Sequence, residues 1–251
     1  MMKLSNLAKL IHKVEHNSKN PTVIYSSIWK LKFIYKKNLN EISKVFCKEI
    51  IKLAKKKNVF IPVFTEPKNL KRINLLKEKV ITGHLSEYLL KKKIGYRTIN
   101  PFFSFLILGP KKETLTFDNV ESEWGNGSLY EWLYNKDANI ITIGTHPTHC
   151  SFSHYAEQLM KNVIKYRYFK NIKAFFVYKK KKIKFSRYFF FRKKNVKETS
   201  FHFMLNIFKK NKMKIRKLNN NFFITGMSAK KKIQLIVKEI KKKPNCIIQD
   251  N

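Results

Sequence analysis

The chain is poor in arginine, acids, glycine, proline and cysteine, and each scarcity excludes something. Of 54 basic residues only six are Arg: Arg72, Arg97, Arg167, Arg187, Arg192 and Arg216. Dedicated phosphate and base readers favour Arg, because its planar fork pairs bidentately. The other 48 basic residues are Lys, set against 16 acids, for a net charge of +38. Lys, Asn, Ile and Phe share A/T-rich codons, so drift in an AT-rich genome would raise Lys on every solvated surface without any partner. Nucleic acid is therefore not the expected partner, although so basic a chain would ordinarily suggest one. Seven Gly and seven Pro exclude low-complexity linkers and collagen-like repeats. Cys47, Cys150 and Cys246 are odd in number and form no CxxC, which argues against a disulfide framework and for a reducing compartment. No run approaches the roughly 20 apolar residues of a membrane span. The apolar residues Leu4, Leu7, Ile11 and Val14 are interrupted by Lys3, Lys9, His12 and Lys13, so no signal-peptide core opens the sequence. A cytoplasmic protein without a membrane partner is expected.

What is present suffices for a core: 43% of the 251 residues are hydrophobic. Short β-rich runs at 22–26, 59–64, 101–108, 140–143 and 222–225 alternate with helical patterns at 85–92 and from Ser151 or Ser153 to about 165. Asn40 is the expected cap of a helix reaching about residue 57, with Ile42, Val45, Phe46, Ile50 and Leu53 on one face. Ser128-Leu129-Tyr130-Glu131 reads as a capping box, and Ser228 as the cap of a last helix to about residue 243. Residues 174–178 and 183–191 read as a strand pair joined by the lysine run 179–182. The ends, 1–20 and 244–251, are expected to fray. Strand–helix alternation with short loops predicts an α/β fold.

The charge is unevenly spread. Between Glu113 and Glu157 there are seven acids and a single basic residue, Lys136; from Met160 onward there are 28 basic residues and three acids. Two readings of this acidic island stand side by side. Its carboxylates cap helices and pair with nearby cations, or they line a site for a cationic substrate.

The densest group of reactive side chains lies inside the island: His146, His149, Cys150, Ser151, Ser153, His154 and Glu157, between a strand and a helix. Loops at the carboxyl ends of strands are where α/β proteins build sites. Three chemistries fit. His146, His149, Cys150 and His154 could ligate a metal, but neither HExxH nor CxxC spacing is present, and no metal is expected. Cys150 could act as a nucleophile with a histidine base. His154 could act as a general base, with Glu157 three residues on, on the same helical face, to orient it.

Several segments, taken in order, resemble the aminoglycoside 3-N-acetyltransferase (antibiotic N-acetyltransferase) family. Val23-Ile24-Tyr25-Ser26-Ser27 resembles its V-H-S-S strand end, and Phe60-Ile61-Pro62-Val63-Phe64-Thr65 its M-P-T-F-[ST] strand. Gly83-His84-Leu85-Ser86-Glu87 resembles G-x-L-P-E, and the stretch from Arg97 through Asn100, Pro101, Phe103, Ser104 and Phe105 to Gly109 resembles R-S-x-H-P-x-H-S-F-x-x-x-G. Trp124-Gly125-Asn126-Gly127-Ser128 resembles F-G-x-G-S, and the segment from Cys150 and Ser151 to His154 and Glu157 resembles N-T-x-x-H-x-x-E. Gly226-Met227-Ser228 fits a later G-x-[AS] element more loosely. Tyr25, Asn100, Phe103 and Leu129 depart from the family's His, His, His and Pro.

The resemblance implies a single acetyltransferase-like α/β domain over 1–251, a central mixed sheet flanked by helices. Its motif-bearing part would span about 22–165, with 166–243 completing it. It implies transfer of the acetyl group of acetyl-CoA, as co-substrate, to an amine of an amino sugar, aminocyclitol or aminoglycoside. It also implies catalytic roles for His154, Glu157 and Ser151, and contacts from Ser26, Ser27, Ser104 and Phe105 to the pantetheine arm. Asp118 and Glu123 become the expected substrate-binding carboxylates, and a homodimer is an open option.

Overall fold

The computed structural model describes residues 2–71, 73–110, 120–178, 180–196, 201–219 and 221–248. Its helices are α1 (Leu4–Lys13), α2 (Leu31–Tyr35), α3 (Leu39–Ala54), α4 (His84–Lys91), α5 (Leu129–Asn135), α6 (Phe152–Leu159), α7 (Met204–Lys210) and α8 (Ala229–Lys242). Its strands are β1 (Thr22–Ser26), β2 (Val59–Pro62), β3 (Ile73–Asn74), β4 (Tyr96–Arg97), β5 (Phe105–Leu108), β6 (Asn139–Ile143), β7 (Arg167–Tyr178), β8 (Lys181–Arg192), β9 (Lys214–Asn219) and β10 (Phe222–Ser228).

Seven strands form one mixed sheet in the order β4-β5-β2-β1-β6-β10-β9, with β2, β1 and β6 parallel at its centre. Every residue of β2, β5 and β6 is buried. That is why β2 and β5 read as apolar runs, and β6 as one broken only by Asn139 and Thr142, for both faces are covered. The pleat divides their side chains. Val23, Phe60, Phe105 and Ile140 enter one core with residues of α5, α6, α8 and the β7–β8 hairpin. Ile24, Val59, Leu106 and Ile141 enter a second core with α1, α3 and α4. The hairpin forms a second sheet with β3, in the order β3-β7-β8.

Helix starts follow the local chemistry. Ser128 and Ser228 accept from the backbone N–H of Glu131 and Lys231. The cap of α3 is Asn38 rather than Asn40: its Oδ1 accepts from Glu41 N, two residues earlier than the apolar pattern suggests. Helix α6 stops at Leu159, short of the expected residue 165, because Tyr166 and Arg167 turn back to bond Glu157. The hairpin strands are 12 residues each, far longer than the apolar runs indicate. Their outward faces carry charged residues, which mask a strand when only apolar runs are sought.

The expected fraying of the first 20 residues is wrong. Leu7 and Ile11 of α1 are fully buried in the second core. After α1 the chain crosses β10 at Gly226, where any Cβ would overlap the Val14 carbonyl. Glu15 forms a buried ion pair with Lys57, whose ammonium is pushed down by burial against the pull of that carboxylate. Asn139 Oδ1 accepts from the amides of His16 and Asn17 at 2.7 and 2.9 Å. At the other end Ile247 is buried, while 249–251 lie outside the described residues. The interruptions by Lys and His fall on the solvent side of α1, so an amphipathic helix resembles a polar tail. Ile11→Ala is expected to cost about 2–5 kcal/mol, the range for deleting a buried Ile side chain, measured by urea denaturation; a terminus that frays would show no change.

Candidate active site

Strands β2, β1 and β6 run parallel, so their carboxyl ends meet along one margin of the sheet. There β1 ends at Ser26, paired with Ile143 of β6, and Ser27 N–H donates to the Ile143 carbonyl at 2.8 Å. Gly144 then turns the chain away with φ at +65°, where a Cβ would strike the Ser27 carbonyl and the Phe222 ring. The loop so released carries His146 to Ser151 into α6. A cavity of about 540 Å³ opens at this margin, lined by Tyr25, Ser26 and Ser27 at the end of β1, Pro62 and Phe64 at the end of β2, Thr82 and Gly83 before α4, Phe103, Thr145, residues 148–151, Ser153, His154 and Phe201.

Of the sequence-predicted residues, the cavity lining includes Ser26, Ser27, Ser151 and His154. The Ser26 hydroxyl oxygen is buried without a hydrogen-bond partner. Such a buried group is costly unless something bonds it.

His154 sits in the first turn of α6, half-buried, its ring 5.1 Å from that of Trp124. Its Nδ1 lies 2.8 Å from Glu157 Oε2. Glu157 is fully buried, and its other oxygen accepts from Tyr166 OH at 3.0 Å and Arg167 Nε at 2.7 Å. Burial alone would raise this carboxyl. The hydrogen bonds and charges of His154 and Arg167 outweigh burial and hold it below the usual carboxylate range. An ionised Glu157 can only accept, so His154 Nδ1 is the donor in this contact, and in the neutral ring the lone pair then lies on Nε2.

Ser151 Oγ lies 2.8 Å from Tyr25 OH and receives Tyr130 OH at 2.8 Å. Burial keeps both phenols well above their ordinary range and hence protonated. Tyr130 donates to Ser151 Oγ, and across the Tyr25 contact either hydroxyl can be the donor; when Tyr25 donates as well, the Ser151 proton is left for a third partner.

Three predicted residues fall elsewhere. Ser104 is fully buried below the cavity, donating to Val63 O at 2.9 Å and accepting from Arg97 Nε at 2.9 Å. Phe105 is enclosed in the sheet's core, so neither residue reaches a pantetheine arm along this cavity. Glu123 is buried too, bonded to Arg187 Nη1 and Asn100 Nδ2, both at 2.8 Å, and cannot dock a cationic sugar. Burial raises its carboxyl despite the Arg187 charge. Asp118 lies outside the described residues. Glu131 accepts from Gly127 N, and Asp137 accepts from Ser228 Oγ and Lys230 N. Among the described residues, most acids of the island thus cap helices or pair with buried cations, the first of its two readings.

Of the four residues in the metal reading, His146 and His149 meet a different third residue, His202. Burial and the neighbouring His202 and His149 push His146 down to about 4, so that its imidazole is neutral near pH 7. Sequence reasoning missed His202, 53 residues from His149, because no spacing pattern links them.

The comparisons with known proteins accord with this geometry. The sequence model of the aminoglycoside 3-N-acetyltransferase family matches residues 75–239, about two thirds of the chain. No curated protein matches. Among solved structures, AAC-IIIb in binary complex with CoASH is 15% identical, with 96% of this chain and 97% of that one aligned at a TM-score of 0.75. The YokD protein from Bacillus subtilis is 13% identical, with 97% and 94% covered at 0.74. A mutant of the aminoglycoside acetyltransferase AAC(3)-IVa in complex with a gentamicin is 13% identical, with 100% and 94% covered at 0.73. At these identities the structural likeness is one of fold.

Replacing Glu157 by Gln removes the charge between His154 and Arg167. The variant is expected to lose about 3–5 kcal/mol at pH 7, the cost of breaking a buried pair. Because Glu157 is held below its unfolded value, its stabilisation is full above the unfolded pKa near about 4.3 and fades as pH falls through the lower folded one. Urea denaturation between pH 6 and pH 3 should show the two proteins converging in the acid range; a constant gap would refute the assignment. The mixed sheet, the motif order and the two-thirds match together establish that this chain is a member of the aminoglycoside 3-N-acetyltransferase family.

Proposed function

We propose that the protein transfers the acetyl group of acetyl-CoA to an amine of an amino sugar, aminocyclitol or aminoglycoside, with His154 as general base. The observation that carries this reading is the chain of contacts from the cavity to His154, Glu157 and Arg167. A base needs a fixed ring, a defined tautomer and a partner for the charge it acquires. Glu157 supplies all three, and is itself held by Arg167 and Tyr166.

The acceptor amine attacks the thioester carbonyl carbon. A C–N bond forms as the amine proton passes to His154 Nε2, and negative charge gathers on the carbonyl oxygen. Ser151, held between Tyr25 and Tyr130, directs its O–H at that oxygen; one such donor is typically worth about 10²–10³ in rate. The intermediate collapses with cleavage of the C–S bond. The departing thiolate takes its proton from the imidazolium, and the base is restored. Ser26 and Ser27, at the carboxyl end of β1, are the side chains proposed to bond the pantetheine arm. The unpaired Ser26 hydroxyl fits an amide-bearing ligand.

The family's acceptors are cationic, yet among the described residues no carboxylate lines this cavity. Phe64 and Phe103 face it instead. The two rings suit an acceptor that carries an apolar or uncharged part beside its amine. The same domain over 1–251 would hold donor and acceptor together.

A thiol-release assay with acetyl-CoA tests the reading against a panel of monoamino sugars and aminoglycosides. His154→Ala should lower kcat/KM about 10²–10⁴-fold, the range for losing a general base, with CoA affinity within a few-fold of the parent. Turnover at parental rates in that variant would defeat the assignment.

A further inference from the structure

We propose that His146, His149 and His202 bind a single transition-metal dication of the zinc type at the rim of the cavity. One ring nitrogen from each residue lies within 4.8 Å of the others. The ring centroids are 4.6 to 5.3 Å apart in all three pairs, and His149 Nε2 stands 2.9 Å from His202 Nε2. A tetrahedral zinc centre with Zn–N near about 2.0–2.1 Å places its nitrogens roughly 3.3 Å apart. The closest pair must open by about 0.4 Å, and the widest must close by no more than about 1.5 Å. His149 and His202 are exposed, so their rings can turn by that much without disturbing the core.

Three imidazoles leave a fourth coordination position for water, and they suit zinc, cobalt, nickel or copper rather than magnesium or calcium. The scaffold around them is firm. His146 Nδ1 lies 2.6 Å from Thr148 Oγ1, which fixes that ring and leaves Nε2 as the atom it offers. Pro147 O accepts from Lys232 Nζ at 2.5 Å, a lysine buried in α8 over the Phe208 ring. Phe208 belongs to α7, and His202 stands two residues before that helix, its carbonyl accepting from Leu205 N. The loop bearing two ligands and the segment bearing the third are therefore anchored on the same helix. His149 and Phe201 both line the cavity, so a bound cation would clamp one cavity wall. The Lys232 ammonium opposes a dication nearby, which sets the expected affinity in the micromolar range rather than below it.

The test uses full-length, tag-free protein stripped with a chelator and titrated with ZnCl2 by calorimetry. One equivalent should bind with a Kd of about 10 µM or tighter, and Co2+ in its place should give the visible absorption of a tetrahedral centre. His202→Ala and, separately, His149→Ala should each weaken binding at least about 30-fold, while His154→Ala leaves it unchanged. Both replaced rings are exposed, so metal-free melting temperatures should match the parent. Absence of saturable binding, binding that survives His202→Ala, or equal weakening by His154→Ala would overturn the site and leave three packed imidazoles. The readout is metal rather than turnover, so it stands apart from the acetyl-transfer reading.

Discussion

The buried carboxylate of Glu157 is the contact on which the rest depends. It lies where α6 ends and the β7–β8 hairpin begins, and it binds a group from each: His154 from the helix, Tyr166 and Arg167 from the start of the strand. Arg167 extends the link by donating to Phe190 O of β8 at 2.8 Å. A buried charge is tolerated only when paired and hydrogen-bonded, and here each partner is also positioned by the pairing. The carboxylate therefore fixes the rotation of the imidazole and the seat of the hairpin at once. Since the hairpin supplies Phe185, Phe189 and Phe190 to the core behind the cavity, the fold on that side and the chemistry at its rim share one electrostatic origin.

The departures from the family motifs form a coherent alternative packing. Tyr25, in place of a histidine, reaches Ser151. Asn100, in place of another, bonds Glu123 and accepts from the amides of Phe102 and Phe103. Phe103 then packs edge-on against Phe64 and Trp124, and Trp124 against His154. Polar or cationic groups in the family's pattern are replaced by aromatic surface and a neutral phenol. The base and its carboxylate are untouched by these changes, of which Tyr25 and Phe103 line the cavity while Asn100 is buried beside Glu123.

Much of this is legible in the sequence where the signal is local. Buried parallel strands announce themselves as apolar runs, and Ser128 and Ser228 are recognisable as caps because capping is decided within four residues. His154 with Glu157 is legible because helical spacing alone brings them together. What stays hidden is non-local. The acidic island does not disclose that Glu123 meets Arg187 across 64 residues, nor does a serine between two phenylalanines disclose that Arg97 claims its oxygen. The amphipathic α1 reads as a fraying end because its partner surface, Gly226 and α3, lies far along the chain.

The distribution of arginine makes the same point about charge. Lysine outnumbers arginine eightfold, yet Arg97, Arg167 and Arg187, half of the chain's arginines, have buried guanidinium groups. Arg97 divides three donors among Ser104 Oγ, Leu75 O and Val63 O. Arg167 reaches Glu157 and Phe190 O, and Arg187 reaches Glu123. Each position asks for donors aimed in several fixed directions while the group is stripped of water, and a planar, weakly hydrated fork meets that demand where a compact ammonium does not. Codon drift can exchange arginine for lysine wherever only a point charge is needed, which describes most of a solvated surface. The net charge of +38 then says little about partners, and the few arginines that remain mark where geometry, not charge, is required.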